Sequence, residues 1–291
     1  MLQLVFLLAV LGFVSGQAPM IDLGYAKVKG VQNTTSGLNM YHGIRYAQPP
    51  TGELRWRKPR PIEAIMTDPN TVIDGTYIGP SCWNMAPGWM ANLNLTVPAG
   101  ANGSSEDCLL LDVFTPINPV SAHLPVLVEI HGGGYTQGSA QSLRPDSMMW
   151  RANGSFIWVS LQYRLGMFGF MAGRDIYDNG DLNAGLLDQR AALEWVQRHI
   201  WAFGGDPAKV TITGGSAGGG LFLTPSHRLT VRVRKSTDDG QRRSRLTPLP
   251  CSIVGIPLVA IVPECLVGRT SISQCPRHGR LPRYQLYAYS S

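Results

Sequence analysis

A chain of 291 residues, 44% hydrophobic and 15% charged, has an ordinary globular balance and is long enough for one large α/β domain or two small ones. The formal net charge of +6 comes from the tail, because residues 1–220 carry 14 Lys/Arg and 16 Asp/Glu, whereas residues 221–291 carry 11 and 3. The body of the chain therefore gives no reason to expect a nucleic-acid partner.

The first 18 residues predict a secretory signal peptide. An apolar run from Leu2 to Val14 precedes small residues at positions 15, 16 and 18, and it is too short to span a bilayer. The alternatives are a short hydrophobic strand or a membrane anchor. We expect the mature chain to begin near Gln17 or Pro19, and the protein to be secreted without a stable membrane anchor.

Four Asn-x-Ser/Thr triplets without a central proline are compatible with N-glycosylation in a secretory pathway, although such triplets also occur by chance: Asn33, Asn94, Asn102 and Asn153. In an oxidising compartment Cys82 and Cys108 can pair. Closing a loop of that size would stabilise the fold by roughly 3 to 4 kcal/mol. The three late cysteines, at positions 251, 265 and 275, cannot all pair among themselves.

The central part of the chain predicts strands that alternate with a helix. The apolar runs "LPVLVEIH" (124–131) and "FIWVSLQYR" (156–164) are typical of buried strands. Residues 183–207 predict a helix with Leu186, Leu193, Val196 and Ile200 close to one stripe and a stop at Gly204-Gly205. A third strand, "KVTIT" (209–213), follows. Strands separated by a helix indicate a crossover connection, and hence a mostly parallel sheet.

Two glycine motifs follow predicted strands. In "GGSAG" (214–218) the glycines allow a sharp strand-to-helix turn that exposes the hydroxyl of Ser216, and a helix is expected directly behind it. In "IHGGGY" (130–135) successive glycines let backbone N–H groups approach a carbonyl oxygen and stabilise the charge that develops on it. Either motif alone could be a flexible turn. Chance does not account well for both motifs in this order, each directly after a predicted strand.

The sequence resembles the type-B carboxylesterase and lipase family of the α/β-hydrolase fold, which includes cholinesterases and secreted fungal lipases. The resemblance runs through "YHGIRYAQPPTGELRWRKPRP", "SSEDCLLLDVFTP", "EIHGGGYTQGS", "QYRLGMFGF" and "NAGLLDQRAALEWVQRHIWAFGGDPAKVTITGGSAGG", in family order. It implies an α/β-hydrolase-like, mostly parallel sheet with crossover helices that is incomplete at its C-terminal end, and hydrolysis of carboxylic esters through an acyl-enzyme.

By this resemblance Ser216 is the nucleophile, and the backbone N–H groups of Gly133, Gly134 and Ala217 form the oxyanion hole. Cys82 and Cys108 match the cysteines of the family's first disulfide. Gly215 stands where many members have glutamate, and a glycine there still suits the turn. No metal-ligand spacing or nucleotide loop is present, so no metal or cofactor is expected, and the expected partner is a small-molecule ester or lipid substrate.

The acid and the histidine of a triad are harder to place. Serine needs an imidazole to accept its proton, and in this fold the chain order is serine, acid, histidine. After Ser216 the chain offers, as acids and bases, Asp238, Asp239, Glu264, His227 and His278. His227 precedes all three acids. Glu264 followed by His278 obeys the order but stands in no context like that of the family.

The resemblance stops near Gly220. Three consecutive glycines and Pro225 limit the helix behind Ser216 to about two turns. Residues 19–220 are expected to form the N-terminal part of the hydrolase domain. Residues 221–291 are expected to be a non-homologous, disordered basic tail, although 251–267 could form a packed strand pair. A retained intron, a frameshift or a faulty gene model would each produce such a tail, and the strand that bears Ser216 would then be left as an unpaired apolar edge.

Two interpretations of function remain. The first is a secreted serine esterase or lipase, represented here by its N-terminal part, whose turnover in this chain we expect to be negligible. The second is a non-catalytic, truncated or adhesion-like homologue that binds rather than cleaves. A basic binder of nucleic acid or membrane surfaces rests only on the arginines of the tail. The segment between Cys82 and Cys108 could form a lid or an ordinary disulfide loop.

Overall fold

The computed structural model describes residues 18–86 and 102–219, and these form a sheet of six strands with helices against it. Residues 1–17 of the expected signal peptide, the sequon at Asn94, most of the disulfide loop and the expected tail lie outside the described residues. The strands are β1 (Met20–Asp22), β2 (Lys27–Lys29), β3 (Val31–Asn33), β4 (Leu38–Arg45), β5 (Val72–Asp74), β6 (Ser81–Cys82), β7 (Ser104–Ser105), β8 (Leu110–Pro116), β9 (Leu124–Ile130), β10 (Ile157–Leu161) and β11 (Gly205–Gly214).

The central sheet has the strand order β11-β9-β10-β8-β4-β3. Neighbours β3, β4, β8 and β10 pair antiparallel, whereas β9 pairs parallel with both β10 and β11. The predicted α/β fold class is therefore confirmed, but the described part of the sheet is mixed, with three antiparallel and two parallel pairings, rather than mostly parallel. Its parallel part carries the two glycine motifs. Parallel neighbours need a long crossover, and the helix of residues 184–199 supplies it between β10 and β11.

Four α-helices occur in the described residues: α1 (Asp146–Arg151), α2 (Gly166–Phe170), α3 (Arg174–Asn179) and α4 (Ala184–His199). Short 3-10 turns span Gly52–Leu54, Ile62–Ala64, Ile200–Phe203 and Ser216–Gly219. The predicted helical stripe is confirmed, because all four of its apolar residues are buried. The predicted stop is also confirmed, since Gly204 adopts a left-handed conformation (φ +81°) that ends the turn after α4.

The two faces of the sheet pack differently. Alternate residues of β9, such as Val126 and Val128, face the large core formed with α4. The intervening positions face a smaller cluster around Phe114 and Trp158, packed by Met149 of α1. Period-two alternation along the strands therefore assigns the side chain of each strand residue to one face or the other.

A buried ion pair also ties helix α4 to the segment that follows β10. Arg164 donates from Nε to Asp188 Oδ2 (2.8 Å) and from Nη2 to Asp188 Oδ1 (2.7 Å), and both side chains are almost completely buried. The backbone N–H of Arg164 also donates to Asp188 Oδ2, at 3.1 Å. Charged groups taken out of water need this degree of pairing, so the ion pair fixes how the helix sits on the sheet.

Strand β11 forms one edge of the described sheet, because β9 is its one neighbour in this part of the chain. None of the helices in the described part is long and apolar enough to cross a membrane.

Candidate active site

The two glycine motifs leave the sheet side by side. Strand β9 ends at Ile130 and β11 ends at Gly214, and these two residues are partners in the parallel ladder. Because parallel strands have their carboxyl ends at the same edge, the segments 131–134 and 215–218 begin next to each other. The ends of adjacent parallel strands are the usual place for a site in an open α/β sheet.

Ser216 sits on a strained turn. Its φ is +54°, in the left-handed region that residues with a side chain seldom occupy. The flanking glycines allow the turn, since a Cβ on Gly214 would lie 2.7 Å from both Gly218 O and Ile130 O, and a Cβ on Gly218 would collide with Ile130 O. Gly215 has open space around it, so the turn itself does not require a glycine there.

The glycine loop, residues 131–134, packs against the turn that carries Ser216. A Cβ on Gly132 would lie 2.7 Å from Gly215 O and 3.3 Å from the Cβ of Ser216. The next two glycines, Gly133 (φ +116°) and Gly134 (φ +61°), use conformations that favour glycine. Among residues 18–86 and 102–219, the N–H groups of Gly133 and Gly134 donate to no partner. Free backbone donors beside a serine are what an oxyanion hole requires.

A closed turn holds the glycine loop. Gly133 O accepts hydrogen bonds from Thr136 N (3.1 Å) and Gln137 N (3.0 Å). Tyr135 O accepts from Gly166 N at 2.7 Å, which fastens the loop to the start of α2. These bonds use the N–H groups of Thr136 and Gln137 and leave those of Gly133 and Gly134 without a described partner.

The buried side chain of His131 packs against the glycine loop. Its Nδ1 lies 2.8 Å from Gly132 O, and its ring stacks on Tyr163 with centroids 4.4 Å apart. The tautomer with a proton on Nδ1 donates to that carbonyl. Burial lowers the pKa of His131 to about 4, so the imidazole is neutral at pH 7. Tyr163 in turn donates to His131 O at 2.8 Å.

Glu129, on β9 just before the loop, is a buried carboxyl group that the sequence analysis missed. Its side chain is 5% exposed and hydrogen-bonds to no described residue, and burial raises its pKa to about 7. The signal in the sequence was a single acidic residue within the apolar run "LPVLVEIH".

No base reaches the serine among the described residues, where Ser216 Oγ makes no hydrogen bond. The acids and bases considered from the sequence at positions 227, 238, 239, 264 and 278 lie outside the described residues. The same part of the chain contains no cluster of His, Cys, Asp and Glu that could hold a metal ion.

The disulfide expected from the family resemblance is present between Cys82 and Cys108, and both residues are buried. Of the described sequon asparagines, Asn33 ends β3, and Asn102 and Asn153 lie at turns. Asn102 and Asn153 are exposed, whereas Asn33 is half-buried and its Oδ1 accepts from Thr35 N (3.0 Å) and Ser36 N (3.1 Å).

Comparison with known proteins gives one consistent family. A family model described as "Carboxylesterase family" matches residues 17–227. The chain is 36% identical to carboxylesterase patB of Aspergillus clavatus, and the match covers 70% of this chain and 44% of that protein. It is 43% identical to the para-nitrobenzyl esterase of Bacillus subtilis, and this match covers 67% of this chain and 37% of that protein. The crystal structure of Aspergillus niger EstA aligns with a TM-score of 0.60 and 37% identity, covering 70% of this chain and 37% of that one. The chain thus spans less than half the length of these relatives.

Proposed function

This chain belongs to the carboxylesterase family, and we propose that its site hydrolyses carboxylic esters with Ser216 as the nucleophile. The observation that carries the proposal is the contact between the two motifs, where Gly132 packs against Ser216 at the carboxyl ends of β9 and β11. The contact supports the proposal because the loop that packs against Ser216 also carries the N–H groups of Gly133 and Gly134. Those donors and that nucleophile are the parts that acyl transfer needs.

The proposed reaction proceeds in two halves. Ser216 Oγ adds to the ester carbonyl carbon and gives up its proton, and the N–H groups of Gly133, Gly134 and Ala217 stabilise the negative charge on the carbonyl oxygen. Collapse of this intermediate breaks the bond to the alcohol oxygen, which takes a proton and leaves, and an acyl-enzyme remains. Water then adds to the acyl carbon and releases the carboxylic acid and free Ser216.

The base in this reaction is a separate question from the nucleophile. An imidazole that accepts the serine proton must follow an acid in the chain order of this fold, and the pair Glu264 and His278 obeys that order. Because that pair has no family-like context, our sequence-based prediction for the 291-residue chain remains negligible turnover.

The proposed substrates are small-molecule carboxylic esters or lipids. The relatives support this class, since they include carboxylesterases, a para-nitrobenzyl esterase and lipases of Diutina rugosa. We further propose secretion, cleavage of residues 1–18 and N-glycosylation at the sequons, of which Asn102 and Asn153 are the more exposed of those described. These proposals rest on the apolar N-terminal run and the Asn-x-Ser/Thr triplets.

The test is hydrolysis of a short-chain p-nitrophenyl ester by the purified secreted chain, measured beside Ser216→Ala. Ser147→Ala, at an exposed position of α1, is the matched control. Turnover that Ser216→Ala abolishes and Ser147→Ala preserves would support the proposal and show that a base is at hand, against the prediction of negligible turnover. Equal background rates in all three proteins would mean that Ser216 has no base to accept its proton, and would favour the non-catalytic interpretation.

A further inference from the structure

Asn84 joins the disulfide segment to the glycine loop. Its Oδ1 accepts from Gly138 N at 2.6 Å, and its Nδ2 donates to Cys82 O at 2.9 Å. Both ends of the amide are thus engaged, and the orientation follows from the network because a flipped amide would face the Gly138 N–H with its own donors. A backbone hydrogen bond beside it, from Met85 N to Thr136 O at 2.8 Å, fastens the same two segments.

The segment that carries Asn84 is itself anchored. Cys82 is bonded to Cys108, which directly precedes the buried residues leading into β8. Strand β6 pairs with β7, and Ser81 N donates to Gly103 O at 3.1 Å. Asn84 therefore projects from a support that is covalently linked to the body of the domain.

Gly138, which donates to Asn84, packs against the glycine loop. A Cβ on Gly138 would collide with Gly132 O and with the ring of His131, so Gly138 packs directly against these residues. Gly132 in turn contacts Ser216. A continuous path of contacts thus runs from Cys82 through Asn84 and Gly138 to the nucleophile.

From this path we infer that Asn84 is a positioning residue for the oxyanion hole, which holds the N–H groups of Gly133 and Gly134 at a fixed distance from Ser216. The inference rests on the proposed function for its chemical meaning. An error of about 1 Å in the placement of groups at a reacting centre costs on the order of 100-fold in rate. A single side-chain amide that sets this placement would therefore affect the rate of the chemical step without touching the substrate.

The experiment compares variants of residue 84 in the full chain. Asn84→Leu has a similar size and no acceptor, and Asn84→Asp keeps an acceptor for Gly138 N–H. Asn179→Ala, at an exposed asparagine of α3 whose side chain has no described partner, is the control. Hydrogen exchange is followed in peptides covering residues 131–139, together with kcat and KM for p-nitrophenyl butyrate.

We expect Asn84→Leu to speed exchange within 131–139 by about tenfold, the order of one net hydrogen bond, and to leave exchange in α4 unchanged. Asn84→Asp should restore part of the protection, because its carboxylate accepts from Gly138 N–H but has no donor for Cys82 O. Where Ser216-dependent turnover is present, Asn84→Leu should lower kcat by about 10- to 100-fold with KM within about twofold of its original value.

Three results would overturn the inference: unchanged exchange in 131–139 for Asn84→Leu, faster exchange throughout the domain, or identical behaviour of the Leu and Asp variants. Rates equal to those of Ser216→Ala in the unaltered chain would instead refute catalysis by this chain, and the exchange pattern would still decide whether Asn84 orders residues 131–139.

Discussion

Replacing Asp188 with asparagine would remove the counter-charge of the buried Arg164 and leave the side-chain volume unchanged. The exposed fractions of the two side chains are 3% and 0%, so water cannot compensate for the lost carboxylate. Three hydrogen bonds from Arg164 end on that carboxylate, at 2.7, 2.8 and 3.1 Å. In the variant, an amide NH2 group must face guanidinium donors at one or more of these positions.

The expected loss in the free energy of unfolding is about 3 to 5 kcal/mol, the usual result of leaving one partner of a buried ion pair uncompensated. This loss is a large fraction of the roughly 5 to 15 kcal/mol that stabilises a typical domain. The matched control is Glu194→Gln, which breaks an exposed pair with Arg190 on the same helix, where both side chains are more than half exposed. Its expected cost is below about 0.5 kcal/mol.

Urea denaturation followed by tryptophan fluorescence measures both changes. A double variant, Arg164→Met with Asp188→Leu, should recover most of the stability lost by Asp188→Asn, because it removes the orphaned charge. This recovery keeps the reasoning testable even where the single variant fails to fold. A cost below about 1 kcal/mol for Asp188→Asn, or a double variant less stable than the single one, would refute the account of the ion pair.

Two further predictions concern pH and the disulfide. The folded-state pKa of Glu129, raised to about 7, means that the folded protein binds this proton more tightly than the unfolded chain, so stability falls as pH rises from about 4.5 to 7. Glu129→Gln should therefore stabilise the protein at pH 8 by up to about 3 kcal/mol and have little effect at pH 4.5, and equal effects in urea melts at the two pH values would contradict this. Replacing Cys82 and Cys108 by serine opens a link across 26 residues and should cost about 3 to 4 kcal/mol in the same melts, whereas a loss under about 1 kcal/mol would show that the unfolded chain is not restrained by the bridge.

Local patterns in the sequence were enough to locate the central elements. The strand of residues 124–131 and the helix that begins at 183 were found within a few residues, because each buries one regular face and the period of that face is written in the sequence. The stop of the helix was also readable, since Gly204 is the residue type that tolerates a left-handed conformation. The two glycine motifs identified Ser216 and the loop after β9 for the same reason, as both turns admit little else at their closest approaches.

The sequence by itself determined which segments form strands and helix, and which residues could carry the chemistry of an ester hydrolase. The tertiary structure decided which residues of those segments contact one another and which are buried. Pairing of Gly214 with Ile130 brings Ser216 against Gly132, and burial makes the imidazole of His131 a neutral support and Glu129 a carboxyl with a raised pKa. The contact of Asn84 with Gly138 joins residues 54 positions apart. No local pattern encodes such contacts, because they arise from strand order and from the loss of water around each group, and both are properties of the folded chain.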